Sequence, residues 1–397
     1  MQGHRAVLIK DREEARRFME EIGVDQAGYA YMEPKAVFRC IKLKDIPCRA
    51  ANIIKQEMLS KGGEAAVKRD ALSSVGHTDV LLMGTLKHYR LLIKKLKVQP
   101  FGLKQLAGEI EAILEGVDKK SFTIELHGGK TLELGNRTLI MGILNVTPDS
   151  FSDGGRYSDP ARAVERALEM KEEGADIIDI GGASSRPNAT IASEEEEMER
   201  VLPVLKELVK EDLIISVDTF RGRVAKACLD LGAHIINDIG RFQMDPTLLP
   251  VLAEYNAPAI IMHNRMQMKS GEPYEDLISD IIVELKESIK QAEDMGLKKE
   301  KLIIDPGIGF GKTVEQNRLI VKRLWEFKSL GRPILLGASR KSFIGHTLNL
   351  EVGERLEGSL AVAAIGIMNG ADILRVHDVK ETKRVAMMTD AVVRENG

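Results

Sequence analysis

From about residue 138 onward, short runs rich in β-branched residues alternate with longer amphipathic stretches, and no other feature restricts the fold so strongly. The strand candidates are Leu139 to Val146, Ile177 to Gly181, Ile214 to Asp218, His234 to Asp238, Ala259 to His263, Leu302 to Asp305, Ile334 to Ala338 and Ile373 to His377. Helical patterns between them include Ala161 to Glu173, Glu194 to Lys210, Arg221 to Leu231, Tyr274 to Met295, Thr313 to Phe327 and Arg355 to Asn369. Eight βα units over roughly 260 residues match a closed barrel, whereas open doubly wound sheets usually stop at about five or six strands. The strand runs are nearly continuous in apolar residues, as expected when both faces are buried. The chain is therefore expected to be an α/β protein built on a (βα)8 TIM barrel.

In a barrel the βα loops converge over the C-terminal strand ends, so polar residues gathered there mark the working face. Here they are Asn145, Asp179, Asp218, Asn237, His263, Asp305, Ser339, Arg375 and His377. Arg375 and His377 stand two residues apart on one strand and project to the same side. Any one polar residue can simply mark a strand end, but that reading leaves their frequency unexplained.

The 397 residues exceed one barrel by roughly 120, enough for a second, smaller domain. Just ahead of the barrel, Phe122 to Leu126 and Thr131 to Leu134 flank Gly128-Gly129. That is a β-hairpin pattern turning on residues that tolerate φ > 0, and such a hairpin could cover the barrel floor. Residues 1–118 read as a small α/β domain: a helix at Glu13 to Ile22, a strand at Ala36 to Leu43, a helix at Ala50 to Leu59, a strand at Asp79 to Met83 and helices through Leu114. Its Gly62-Gly63 and Gly84 lack phosphate-loop spacing, and no function attaches to it from sequence. The barrel domain is expected to span 119–397.

With 57 basic and 60 acidic residues, the net charge of −3 advertises no nucleic-acid surface. The lysine-rich stretch Lys87 to Lys97 interleaves Leu91, Leu92, Ile93 and Leu96, the pattern of a helix with a solvated face. The run Glu194 to Glu197 is expected to open a barrel helix, where carboxylates complement the dipole, rather than to bind a metal. Cys40, Cys48 and Cys228 form no CxxC pair, which fits a reducing compartment and argues against a disulfide scaffold or structural zinc. The N-terminal residues lead into a charged run from Asp11 to Arg17, and no segment reaches about 18 uninterrupted apolar residues. A cytoplasmic protein without membrane contact is expected.

The first strand runs into Met141-Gly-Ile-Leu-Asn-Val-Thr-Pro-Asp-Ser-Phe-Ser-Asp-Gly-Gly155, which closely resembles the leading signature of the dihydropteroate synthase family. The resemblance continues at later strand ends, in Asp179-Ile-Gly-Gly, Ser216-Val-Asp-Thr219, Asn237-Asp-Ile239, Met262-His263, Asp305-Pro-Gly-Ile-Gly-Phe310, Gly337-Ala-Ser-Arg-Lys-Ser342, Glu354-Arg-Leu-Glu-Gly-Ser359 and Arg375-Val-His-Asp378. It covers about residues 121 to 397.

This resemblance implies a transferase of folate biosynthesis, in which the amine of p-aminobenzoate displaces pyrophosphate from 6-hydroxymethyl-7,8-dihydropterin pyrophosphate. Three subsites follow. A pterin edge carries an amide N–H beside an exocyclic amine, a paired donor that a carboxylate accepts well. The resemblance assigns it to Asp305, Asn237 and Asp218, with Lys341 donating and Ile239, Met262, Gly337 and Phe310 lining the faces. The leaving pyrophosphate requires cations and strong donors. The resemblance supplies Arg375, His377 and Asn145, the last also ligating a Mg2+ held mainly by phosphate oxygens. The neutral aniline nitrogen of p-aminobenzoate is already nucleophilic and needs no catalytic base. Phe151 and Asp153 of the first loop, Ser185, Arg186 and Pro187 of the second, and Ser342 for the carboxylate are implied there. A sulfonamide target and a homodimer are also implied.

Where the family pattern reads Glu-Ser-Thr-Arg-Pro-Gly, this chain has Ala183-Ser-Ser-Arg-Pro-Asn188, losing a carboxylate and a methyl group. His263-Asn-Arg-Met-Gln-Met is a second departure. Two rival readings are a pterin-dependent methyltransferase, which needs no pyrophosphate clamp, and a pterin-binding protein that has lost catalysis. Ser339-Arg-Lys341, Arg375-Val-His377 and the full loop after Asn145 favour the synthase over the first, and intact Asn145, Asp218, Lys341, Arg375 and His377 speak against the second.

Overall fold

A computed structural model describes residues 2–73, 75–147, 160–183, 192–265 and 273–394. The chain divides into two compact units, Met1–Asp118 and Lys119–Gly397.

The first unit opens with α1 (Arg12–Ile22), started by the Asp11 carboxylate accepting from Glu14 N and ended by Gly23 at φ 79°. It continues through α2 (Tyr29–Ala36), β1 (Phe38–Pro47), α3 (Cys48–Leu59), β2 (Glu64–Val67), β3 (His77–Thr85), α4 (Leu86–Leu96) and α5 (Leu103–Asp118). The three strands form one antiparallel sheet in the order β1-β3-β2. Burial alternates along β3, with Thr78, Val80 and Leu82 inward, the period of a sheet with one covered face. Ile41, Leu43, Val80 and Leu82 pack with Ile54, Met58, Leu92, Leu96 and Ile110 from the helices, forming a core of this unit's own. The short strand β2 and the helix α2 escape the sequence reading, since Glu64-Ala-Ala-Val has little β character and α2 contains Pro34.

The second unit begins with a hairpin, β4 (Phe122–Glu125) and β5 (Thr131–Leu134), turning through Gly128 and Gly129 at φ 82° and 87°. Eight parallel strands follow: β6 (Leu139–Asn145), β7 (Ile177–Gly181), β8 (Ile214–Asp218), β9 (Ile235–Asp238), β10 (Ala259–Met262), β11 (Leu302–Asp305), β12 (Leu335–Leu336) and β13 (Ile373–Val376). Their order is β11-β10-β9-β8-β7-β6-β13-β12, and a bridge between Ile304 and Ile334 closes the ring. The helices are α6 (Pro160–Glu172), α7 (Glu194–Leu208), α8 (Gly222–Leu231), α9 (Leu248–Glu254), α10 (Leu277–Asp294), α11 (Val314–Lys322), α12 (Ser342–Leu348), α13 (Leu356–Met368) and α14 (Val379–Val393). The expected α/β barrel preceded by smaller sheet structure is what forms.

The two faces of the strands bury two separate sets of residues. Ile140, Ile178, Ile215, Ile236, Ile261 and Ile304 face outward and pack with helix side chains. Their neighbours Met141, Ile177, Ile235, Ile260, Ile303, Leu335 and Ile373 face inward and pack on Phe122, Ile124, Leu132 and Leu134 of the hairpin. The hairpin thus plugs the N-terminal end of the barrel, as expected from its sequence. Each buried isoleucine contributes about 1.5–3 kcal/mol. With the floor filled by apolar groups, inward residues nearer the C-terminal ends of most strands carry the polar mouth.

Some helices differ from expectation. The pattern over 313–327 is α11 followed by a 3-10 turn, Leu324–Leu330. Helix α9 contains Pro250, which masks its periodicity, and α12 has only seven residues. Helix α14 buries Val379, Thr382 and Ala386, small or polar side chains that leave little hydrophobic signature.

Candidate active site

Period-two geometry sends Asn145, Asp179, Asp218, Asn237, Met262, Asp305, Gly337, Arg375 and His377 to the inward row, because each lies an even number of residues from an inward floor position on its own strand. At the centre is Arg375 of β13. Its Nε donates to Asp179 Oδ2 at 2.6 Å and its Nη2 to Asp218 Oδ2 at 2.7 Å. Asn237 Nδ2 donates to the same Asp179 oxygen at 3.0 Å, tying β7, β8, β9 and β13 together. Asp179 Oδ1 and Ser216 Oγ are buried without a partner among the described residues. Asp179 belongs to the resembling motif but was given no role from sequence; its inward register beside Asn145 and Asp218 is the signal that marks it.

Asp305, on the opposite wall, accepts Gly307 N–H on Oδ1 at 2.7 Å. Its Oδ2 lies 3.6 Å from where a Cβ on Gly337 would stand, so Gly337 borders the carboxylate, between Asp305 and Arg375. Burial pushes the Asp305 pKa up, opposed by the Gly307 N–H, Lys341 and Lys312. Burial likewise raises that of Asp218, with the Arg375 guanidinium opposing it. Lys341 caps α12 and holds its ammonium 4.1 Å from the Phe310 ring centroid. Burial, then the neighbouring Arg375 charge, lowers its pKa to about 8.

His377 is buried enough that its pKa falls to about 4, Arg375 and Arg340 adding to the effect of burial. It therefore acts as a neutral hydrogen-bonding group at neutral pH, not as a cation. Ser339 Oγ accepts His377 N–H at 3.3 Å and lies 3.1 Å from Nδ1. A hydroxyl that accepts the backbone N–H can give its own proton to Nδ1, which places the ring proton on Nε2 as a donor. Ser339 is thus a second residue whose part was not legible in the sequence.

Among the remaining sequence candidates, Asn145 ends β6 beside Asp218: a Cβ on Gly181 would lie 3.6 Å from Asn145 Oδ1 and 3.8 Å from Asp218 Cβ. Met262 and Phe310 are buried, Ile239 is half-buried, and Ser342 is the exposed first residue of α12. Phe151, Asp153, Ser185, Arg186 and Pro187 lie outside the described residues. Among the described residues no helix is long and apolar enough to cross a membrane.

Residues 141–377 match the pterin binding enzyme family. A dihydropteroate synthase of Clostridium beijerinckii is 51% identical over 269 residues, covering 67% of this chain and 98% of that protein. A Clostridium difficile dihydropteroate synthase, solved in the presence of pteroic acid, superposes with a TM-score of 0.63 at 48% identity, covering 66% of this chain and 99% of that one. A probable bifunctional folylpolyglutamate synthase/dihydropteroate synthase of Halobacterium salinarum is 38% identical over 386 residues, 96% of this chain and 46% of its own length, so its likeness extends into the N-terminal unit. The family match spans the very strands that gather these side chains, and synthases align over nearly their whole length: the chain belongs to the dihydropteroate synthase family, pterin-binding transferases that join 6-hydroxymethyl-7,8-dihydropterin pyrophosphate to p-aminobenzoate and release pyrophosphate.

Proposed function

We propose that the barrel mouth divides this reaction among three groups of residues, a reading carried by one observation: the Arg375 guanidinium held between the Asp179 and Asp218 carboxylates. The pterin edge donates to Asp305 and Asp218, with Asn237 and Lys341 completing the match and Ile239, Met262, Gly337 and Phe310 lining its faces. Asp179 supports this arrangement by fixing both Arg375 and Asn237. Fixed donors here cost no reorganisation when charge develops on the leaving group.

The pyrophosphate is taken by Arg375, by His377 through Nε2–H and by Asn145. The amide oxygen of Asn145 is a single hard donor at an open strand end, which suits Mg2+, a cation that prefers phosphates and water to an all-protein cage. Bound there, Mg2+ supplies charge neutralisation for the leaving pyrophosphate. The C–O bond breaks first, its electron pair leaving with pyrophosphate to give a cationic pterin; the p-aminobenzoate amine then bonds to the pterin methylene carbon, and its proton passes to solvent. Phe151, Asp153, Ser185, Arg186, Pro187 and Ser342 form the aminobenzoate site in this reading. A sulfonamide, which carries the same aniline group, competes for it.

A homodimer through the last two helices accompanies this function. Ile365 and Met368 of α13 and Met387, Met388 and Val392 of α14 are exposed apolar residues on helices that pack together, the kind of patch that marks an interface. Free thiols at Cys40, Cys48 and Cys228 support a cytoplasmic setting. Pyrophosphate release, measured with p-aminobenzoate added or withheld, tests the assignment. The wild type should release it with both substrates present. Asn145→Ala should weaken metal-dependent pyrophosphate binding by about tenfold and leave a phosphate-free pterin bound as before; equal loss of both would sink the Asn145 role.

A further inference from the structure

Behind the mouth lies a second polar cluster, centred away from the Arg375 network. Its hub is Glu284, in the middle of α10, with a side chain 14% exposed. Arg265 Nε donates to Glu284 Oε1 at 2.7 Å. Arg241 Nη2 pairs with Oε2 at 2.8 Å, and its Nη1 donates to the Glu284 carbonyl at 2.7 Å. His263 Nε2 lies 3.2 Å from Oε2, off the hydrogen-bond angle. Burial alone would raise the pKa of Glu284, but His263, Arg265 and Arg241 together hold it down to about 2.

These partners stem from two βα loops, and a third is reached through them. Arg241 follows β9 in left-handed backbone at φ 54°, succeeded by Phe242 at φ 65°, a conformation that costs energy for residues with a Cβ and persists only when its surroundings impose it. His263 and Arg265 follow β10. The β11 loop is reached through Lys312, whose Nζ lies 3.0 Å from His263 Nδ1 and donates to Gly307 O at 2.9 Å, Phe310 O at 3.0 Å and His263 O at 3.3 Å. Gly307 is pressed so closely on the His263 carbonyl that a Cβ there would stand 1.8 Å from it. Every one of these loops carries a pterin-lining residue of the reading above: Ile239 after β9, Met262 at the end of β10, and Asp305 with Phe310 at β11.

We propose that Glu284 is a positioning residue for pterin recognition, fixing the three loops through Arg241, through His263 with Arg265, and through His263 to Lys312. It rests on the pterin-pocket assignment. A carboxylate joined to one loop would be an ordinary buried ion pair; joined to the β9 and β10 loops and, through His263 and Lys312, to the β11 loop, it sets their mutual spacing, and recognition of a rigid heterocycle depends on spacing held to about 0.5 Å.

The test is Glu284→Gln in the full chain, with calorimetric titration of 6-hydroxymethyl-7,8-dihydropterin and steady-state kinetics for both substrates. The pterin dissociation constant and the KM for its pyrophosphate should rise about tenfold, with kcat and the p-aminobenzoate KM changed less than about twofold. If Glu284→Gln does not fold, Lys312→Met, which cuts the β11 arm alone, should show the same split. Asp305→Asn serves as the reference. Loss of pterin affinity in Asp305→Asn but not in the Glu284 or Lys312 variants overturns the positioning role and leaves the pocket standing. Unchanged affinity in all of them overturns the pocket itself. Equal losses for both substrates, or a loss confined to kcat, would mean that Glu284 only stabilises the fold.

Discussion

In the N-terminal unit the buried polar residues among those described are Glu33 and Thr78, whereas the barrel buries Asp179, Asn237, Asp238, Arg241, His263 and Asp305 around one end. Glu33 and Thr78 find partners within the first unit. Arg16 meets Glu33 at 2.8 Å, and the Tyr89 hydroxyl sits 3.0 Å from the carbonyls of Arg39 and Leu82. The rest of its interior is apolar. In the barrel, charged groups are removed from water and matched mainly with one another, which costs several kcal/mol per ion before pairing offsets it. A fold needs no such arrangement, since apolar residues of similar size would hold it as well. Buried charge converging at a barrel mouth therefore points to chemistry. The likeness of the Halobacterium relative across 96% of this chain shows that the module occurs beside the same barrel elsewhere.

The contrast is sharpest at Asp305. Asp305→Asn puts an N–H2 where two pterin donors need acceptors, so it should cost about 3 kcal/mol, on the order of a hundredfold in pterin affinity. The fold should survive, because the change is nearly isosteric and lies at the mouth. Calorimetry that finds affinity within about threefold of wild type would place the pocket on other residues.

A smaller effect is expected from pH. Lys341 has its pKa lowered from 10.5 to about 8, so it is charged below that value and becomes a neutral amine as pH rises through it. The kcat/KM for the pterin substrate should therefore fall severalfold between about pH 7.5 and 9. Arginine keeps its charge throughout this range, so Lys341→Arg should lower the plateau and remove that alkaline limb. A limb that persists in Lys341→Arg would assign it to another group, Lys312 being the first candidate, with a pKa brought to about 7 by burial.

The smallest effect should come from the largest deletion. Each unit has its own core, so a chain beginning at Lys119 should fold and keep its kcat within about threefold. Insolubility, or a folded barrel inactive at saturating substrates, would break the comparison and make the module part of the catalytic unit.

Much of the fold was open to reading because its signals are local. The eight apolar runs, Gly128-Gly129 and the acidic start of α7 each report their structure within a few residues. Helices α9, α12 and α14 were missed for equally local reasons: an internal proline, shortness, and a buried stripe of Val379, Thr382 and Ala386 that looks weakly amphipathic. At the site, motifs marked the residues expected to meet substrate. They carried no sign of what holds those residues, such as Ser339 beneath His377 or Glu284 behind the β9, β10 and β11 loops.

The sequence by itself determined the strand count, the gathering of polar residues at the strand ends, and the family, because apolar runs and contiguous motifs are properties of short segments. Only the tertiary structure decided who pairs with whom. Arg375 is 196 residues from Asp179 and 157 from Asp218 along the chain, and they meet because β13 hydrogen-bonds to β6 and brings the last strand beside the first. Closure of the barrel turns separate strand ends into one desolvated ring. In that ring the ionisation of Asp218 and Lys341, the neutral state of His377 and the reach of Glu284 are set by neighbours that no local pattern could reveal.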